Sequence, residues 1–382
     1  MTSRAKINPN VLKWARIDAG YDSSNLPKTI KKNYKKWETG EVKPTWNQLR
    51  ELANQYKRPS AFFFRSEPPI KEKTDLIEYR KTETASVKRT PRLIYSIRNY
   101  KILRDIYIEL LDVMRLEKKS FKKYKFESNN PREFASQIRN MLGIELKEQK
   151  KWLFDENMRK DYKHYRFLNE WKESLNTLGI LVFESEKVSL DEMKALTLYY
   201  DDYPIIILNG SDHVNSRIFS LFHELTHLML GESAICDLEE DNSKEIFCNA
   251  VAGEFLVPFN DFLENTEFIK SHEDLNDDDI FINLSHEYGV SWEVILRRFL
   301  TIGKISENFY NLKTKKWADE YEDNKGSGGN FLNNKVKYYG RMYSRLVLSA
   351  YENNIISPTE FSEYMGMKIN HVPKLESIIY GD

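Results

Sequence analysis

The sequence predicts an α+β fold that is mostly helical, with a helical block at each end and a small sheet near the middle. Three observations carry that reading. Apolar residues recur at helical spacing through most of the chain. The β-branched and aromatic runs ILVFE and IIILN cluster between residues 180 and 209. Proline and glycine punctuate the ends, with Pro59, Pro68 and Pro69 closing a first block and KGSGG at 325–329 preceding a helical tail.

The elements follow in order. Asn8-Pro9 opens a capped helix through VLKWARIDAG that stops at Gly20. A second short segment, SSNLPKTIKKNYKKWETG, ends at Gly40. Pro44-Thr45 opens WNQLRELANQY, where Trp46, Leu49, Leu52, Ala53 and Tyr56 fall at helical spacing. Residues 70–90 are charged and Thr-rich, as in a linker. Helices are expected from Pro91 through LIYSIRNYKILRDIYIELLDVM, from Pro131 through NMLGI, and over YRFLNEWKESLNTLGI up to Gly179. ILVFE is a strand. ALTLYY and IIILN form a hairpin around the turn Asp201-Asp202-Tyr203-Pro204. GVSWEVILRRFLTIGKIS is helix and turn, and two or three helices complete the tail from Lys335. The expected organisation is therefore residues 1–69, a linker and helical region at 70–159, a sheet-containing domain at 160–300, and a helical domain at 301–382.

Composition narrows the function classes. Apolar residues make up 41% and charged residues 30%, values of an ordinary soluble globular protein. No run approaches the roughly 18 apolar residues of a membrane span. The start, MTSRAKINPNVLKW, has no signal-peptide core. Two cysteines, Cys236 and Cys248, exclude a disulfide scaffold and suit a reducing cytoplasm. A cytoplasmic protein without a membrane partner is expected. The net charge is zero, but residues 1–66 hold 14 Lys and Arg against 5 Asp and Glu, a local charge of +9. Such a block points to nucleic acid; a solvated basic face would give the same count.

The chemistry sits in RIFSLFHELTHLML, which contains His223-Glu224-Leu225-Thr226-His227. Residues four apart on a helix lie one turn above each other, so both imidazoles leave the same side. Two His nitrogens can then reach one Zn²⁺ at about 2 Å. Glu224 lies beside them, placed to hold water rather than the metal. Ile218, Leu221, Leu225 and Leu228 form the opposite, apolar stripe. Two core histidines on an apolar helix would produce the same letters. The next helical run, SKEIFCNAVAGEFLVP, offers Glu245 as a third ligand, with Asn249 one turn on. A His₂Glu set leaves one position open, the arrangement of catalytic zinc. Cys248 is the rival ligand, and a softer, more structural one. Asp237 and the run Glu239-Glu240-Asp241 read as a solvated loop.

These residues resemble the ImmA/IrrE metallopeptidases. That family follows an HExxH helix, about twenty residues later, with E-x-x-A-N-x-F-A-A-E-L-L-M-P; Glu245, Asn249, Glu254 and Pro258 fall in register. The strands ILVFE and YPIIILN also match. Ser220 stands where the family usually has Thr, Cys248 where it has Ala, and Val251 in place of the aromatic. The N-terminal block resembles the XRE-like helix-turn-helix often fused to such peptidases. Leu26 to Trp37 is about three residues shorter than that unit, and Pro27 falls within its second helix. Such a contraction displaces a recognition helix from a major groove. The tail YYGRMYSRLVLSAYENNIISPTEFSEYMGMKINHVPKL resembles the end of the fused forms.

The resemblance implies a zincin-like domain at 160–300 and a zinc endopeptidase, with His223, His227 and Glu245 on the ion and Glu224 as general base. It implies a protein substrate, an XRE-type repressor or a toxin–antitoxin component. Duplex DNA is a further candidate partner, through residues 1–66. His213 and Arg217 are weak candidates for an oxyanion donor and read more naturally as surface or supporting groups. The alternative is a DNA-binding regulator or antitoxin-like protein whose peptidase site is sensory or vestigial. A purely structural zinc site would call for a fourth protein ligand.

Overall fold

The computed structural model describes residues 4–69, 90–124, 126, 128–153, 160–231, 242–269, 274–321 and 331–381. The chain divides into two compact units, Met1–Asn99 and Tyr100–Asp382. The expected linker, the KGSGG break and the Asp237–Asp241 run lie wholly or almost wholly outside the described residues.

The first unit is helical. α1 (Pro9–Asp18) begins as its sequence demands: the Asn8 side chain accepts from the Asn10 N–H, and Pro9 has no N–H to leave unpaired. The segment read as one piece is two short helices, α2 (Lys28–Lys31) and α3 (Tyr34–Glu38), separated at Lys32-Asn33. α4 (Trp46–Tyr56) opens on a reciprocal cap between Thr45 and Gln48. Leu12, Ile30, Trp37, Leu49, Tyr56 and Phe63 meet in one core. The first part of α5 (Pro91–Val113) belongs here, and Arg98 joins Arg58 on Asp18.

The second unit holds the sheet. β1 (Leu181–Ser185), β2 (Ala195–Leu198) and β3 (Ile205–Asn209) lie in the order β1-β3-β2. β2 and β3 form the expected antiparallel pair, and β1 runs parallel to β3 with Leu181 opposite Ile205. Every strand residue is buried, which explains why these runs are continuously apolar rather than alternating. Helices cover both faces. α8 (Lys160–Thr177) packs on β1, and α9 (Val214–Met229) packs on β2, β3 and α8. α10 (Asn242–Leu256) lies on α9 and on α6 (Pro131–Leu142). α11 (Phe259–Asn265), α12 (Asp279–Tyr288), α13 (Trp292–Thr301) and α14 (Glu307–Tyr321) complete the same core, and α7 (Leu146–Lys151) is tied to it by Gln149, which donates to the Leu256 and Tyr288 carbonyl oxygens.

The tail forms four helices rather than two or three: α15 (Phe331–Tyr339), α16 (Arg341–Glu352), α17 (Pro358–Met365) and α18 (Val372–Glu376). Glycine makes two of the breaks, since Gly340 and Gly366 both take positive φ. Gly340 also lies so close to β1 that an added Cβ would sit 2.5 Å from the Val182 carbonyl oxygen. The tail therefore packs directly on the sheet. No single helix among the described residues is long and apolar enough to cross a membrane.

One buried ionic knot joins these layers. Glu184 on β1 accepts from Lys172 on α8 and from Arg217 in the first turn of α9. All three are almost fully buried. Burial alone would raise the Glu184 pKa, but the two cations outweigh it and hold the carboxyl at about 2. A carboxyl depressed in the folded state stabilises above its unfolded value near 4.5 and loses that contribution as pH falls toward 2. Glu184→Gln would leave two buried cations without their anion, a loss of about 3–5 kcal/mol. Thermal unfolding from pH 7 to pH 2.5 should show the variant less stable at pH 7 and less sensitive to acid. An unchanged melting temperature at pH 7 would contradict this.

Candidate metal centre

α9 carries the HExxH residues on a helix buried from Arg217 to Met229, apart from a half-exposed step at Phe219-Ser220. Ile218, Leu221, Leu225 and Leu228 are fully buried, as their stripe predicts. Its start is capped by His213, whose Nδ1 accepts from the Asn215 N–H at 3.3 Å. Thr197 of β2 donates to the Glu224 carbonyl oxygen at 3.2 Å, which ties the motif to the sheet.

His223 and His227 point the same way, with their Nε2 atoms 3.2 Å apart. α10 brings Glu245 to both. Its Oε2 lies 3.1 Å from His223 Nε2, and its Oε1 lies 3.3 Å from His227 Nε2. Neither histidine is more than slightly exposed, and Glu245 keeps about a quarter of its side chain open (26%). These three residues form a cluster able to hold a metal ion. The separations themselves test the fit. Ligands at 2.0–2.1 Å in a tetrahedral set stand about 3.3 Å apart, and the observed 3.1–3.3 Å matches. Three protein donors are one fewer than the four of a closed structural zinc site.

Electrostatics agree with this grouping. Burial raises the Glu245 carboxyl, but hydrogen bonds from His223 and His227 outweigh it and hold it at about 2. Burial lowers His223, yet the Glu245 contact raises it overall. The cluster thus favours a cation between carboxylate and imidazoles. Glu224 is different. It is fully buried, and neither carboxylate oxygen has a hydrogen-bond partner among the described residues. An unpaired buried carboxylate is expensive. It belongs where a water or a cation satisfies it.

The remaining candidates separate cleanly. Cys248 is fully buried on α10 but does not join the metal cluster. Arg217 is engaged with Glu184, and His213 caps the helix; neither belongs to the triad. Glu254 accepts from the Phe259 N–H at 2.9 Å and from Arg298 at 2.8 Å, pinning α10 to α11 and α13. Asn249 Oδ1 lies 3.0 Å from His223 Nδ1. Sequence reasoning missed the Lys172–Glu184–Arg217 knot and the Thr197 contact. Their partners are 12, 33 and 27 residues away along the chain, and no local pattern marks them.

Against known proteins, residues 175–300 match a family model described as the IrrE N-terminal-like domain, Peptidase_M78. The match contains all of β1–β3, α9 and α10, and so every residue of the centre. It supports a kinship of this segment with the ImmA/IrrE family and leaves the N-terminal block uncovered. No curated protein and no solved structure matches the chain.

The ligand assignment is open to a direct comparison. Glu245→Ala should weaken the binding of added Zn²⁺ on the order of a hundredfold, whereas Cys248→Ala should change it by no more than about threefold. The opposite order in a chelator-competition titration would move the ligand role to Cys248.

Proposed function

We propose that the protein is a zinc-dependent endopeptidase that cuts a regulatory protein, an XRE-type repressor or a toxin–antitoxin component. The observation that carries the reading is the convergence of His223, His227 and Glu245 at tetrahedral spacing beside an unpaired, buried Glu224. The family match over residues 175–300 supports it.

His223, His227 and Glu245 would hold the ion. Bound Zn²⁺ supplies Lewis acidity, polarising a carbonyl and bringing the pKa of water toward about 7. Glu224 then has the proton work. Its carboxylate takes a proton from the attacking water and passes it to the amine that leaves. Neither of its oxygens is taken by a protein donor among the described residues, which suits that role. Asn249 orients the His223 ring through Nδ1. Thr197 and the aromatic packing beneath α9 fix the helix.

A second reading rests on the N-terminal unit. Lys31, Lys32, Lys35 and Lys36 are all exposed, while Tyr34 between them is buried. The basic face can meet duplex DNA, or an acidic partner that it steers toward the centre. α2 and α3, of four and five residues, are short for reading a major groove, and Asn33 between them is half-buried. We favour docking, with weak and salt-sensitive DNA binding. A regulator with an idle peptidase site is the competing possibility.

Two measurements address these statements. Glu224→Gln should keep about one Zn²⁺ per chain and abolish cleavage of a co-expressed XRE-type repressor or toxin–antitoxin component that the wild type cuts, with fragments read by mass spectrometry. Cleavage at the wild-type rate would remove Glu224 from the mechanism. For the basic face, the full chain with Lys31, Lys32, Lys35 and Lys36 all changed to Glu should cleave the same partner roughly tenfold more slowly at low salt and nearly normally at 0.5 M salt. Unaltered cleavage together with lost nanomolar binding to a defined operator would make the block a DNA reader instead.

A further inference from the structure

Asn249 stands one turn beyond Glu245, so α10 presents a ligand and an amide on adjoining positions of one face. His223 turns Nε2 toward Glu245 and His227, and Nδ1 toward Asn249. A ring nitrogen that ligates a cation cannot also carry a proton. The ligating form of His223 therefore has its proton on Nδ1, which donates to Asn249 Oδ1 at 3.0 Å. This fixes the other end of the amide. Nδ2 carries two N–H donors and has no hydrogen-bond partner among the described residues. Asn249 is exposed, whereas the two histidines are buried. Its donors are thus on an exposed residue, one turn from Glu245, whose side chain is itself partly accessible.

We propose that Asn249 has two tasks: Oδ1 locks His223 in its ligating tautomer, and Nδ2 donates to a main-chain carbonyl of a peptide substrate lying across the centre. The inference rests on the peptidase reading above. The imidazole between them keeps Nδ2 from touching the ion. An extended peptide advances about 3.3 Å per residue. A carbonyl one or two residues from the scissile bond consequently comes within reach of a group standing one ring away. Such a contact recognises the peptide backbone, not a particular side chain, and belongs to substrate positioning.

The two tasks separate by substitution in the full chain. Zinc affinity is read by competition with a chromophoric chelator, without substrate. Main-chain recognition is read at saturating zinc as the affinity of a tripeptidyl hydroxamate relative to acetohydroxamate; both reach the ion, and only the first brings peptide carbonyls. Asn249→Asp keeps the acceptor and loses the donor. It should hold zinc within about threefold of wild type and lose roughly tenfold in the tripeptidyl preference. Asn249→Ala loses both, and should also bind zinc about 10–100-fold more weakly. Melting temperatures near wild type are expected for both, since the residue is exposed. Zinc affinity within threefold in Asn249→Ala would overturn the first task. A full tripeptidyl preference in both variants would overturn the second. A wild-type chain that takes up no zinc would overturn the peptidase reading and this inference with it. A zinc-binding wild type whose variants behave identically would overturn the inference alone.

Discussion

The centre depends on how two helices meet. Phe222, one residue before His223, stacks on Phe255 of α10 with centroids 4.1 Å apart and planes 24° from parallel. Trp171 of α8 closes on both rings edge-on, at 4.9 and 5.2 Å. Close-packed aromatic contacts of this kind admit few alternatives, because interiors have crystal-like density and every shift opens a gap or a clash. The ligands need that rigidity. A donor triangle of 3.1–3.3 Å on two separate helices tolerates an error of only a few tenths of an ångström. The far end of α10 is secured by different means. Glu254 ties it to α11 and α13, and Arg139 and Gln149 donate to its last carbonyls, those of Phe255 and Leu256.

What the sequence made legible was what local geometry controls. The i, i+4 spacing of His223 and His227 needs only a helix to become a pair of convergent imidazoles. The apolar run of β1 and the β2–β3 pair were readable because buried strands are continuously apolar. Glu245 was readable from its helical position together with the known chemistry of such sites. Other features were hidden for a physical reason. Glu184 looks like an ordinary charged end to a strand, and Arg217 like a solvated residue before a motif. Only the parallel placement of β1 beside β3, and of α9 across the sheet, brings them together. The parallel pairing is non-local and leaves no trace in either strand. The split of α2 from α3 escaped notice because exposed lysines at 31, 32, 35 and 36 suit one helix as well as two. The four helices of the tail were undercounted because their breaks depend on positive φ at Gly340, Asn354 and Gly366, which is set by the backbone rather than by hydrophobic pattern.

Buried charge has two opposite uses in this chain. Around Glu184 it is compensated: one carboxylate meets two cations, and burial raises the cost of removing any of the three. That knot links β1, α8 and α9, the layers that support the metal helix. At Glu224 the carboxylate has no hydrogen-bond partner among the described residues. Other buried groups also leave single polar atoms without a partner, but Glu224 is the carboxylate with both oxygens so left among the described residues, and a reactant could complete the set. The contrast distinguishes a structural carboxylate from a chemical one more sharply than either burial or sequence motif alone.

The same contrast weighs the two functional readings. A regulator with an idle site would gain stability if Glu224 were neutral or paired, since an orphaned buried carboxylate costs folding free energy and returns nothing structural. A sensory site needs ligands for an ion, which His223, His227 and Glu245 could provide, but has no use for a second carboxylate beside them without a hydrogen-bond partner among the described residues. Proton transfer during hydrolysis does have such a use, because a base must be unoccupied to accept a proton and close enough to deliver it. The N-terminal unit adds charge and contact surface but no chemistry of this kind. Its short helices can recruit a partner by electrostatic attraction, whose range is set by salt. Under the peptidase reading the reaction would fall to α9 and α10, which meet through the Phe222–Phe255 stack and carry His223, His227, Glu245 and Glu224.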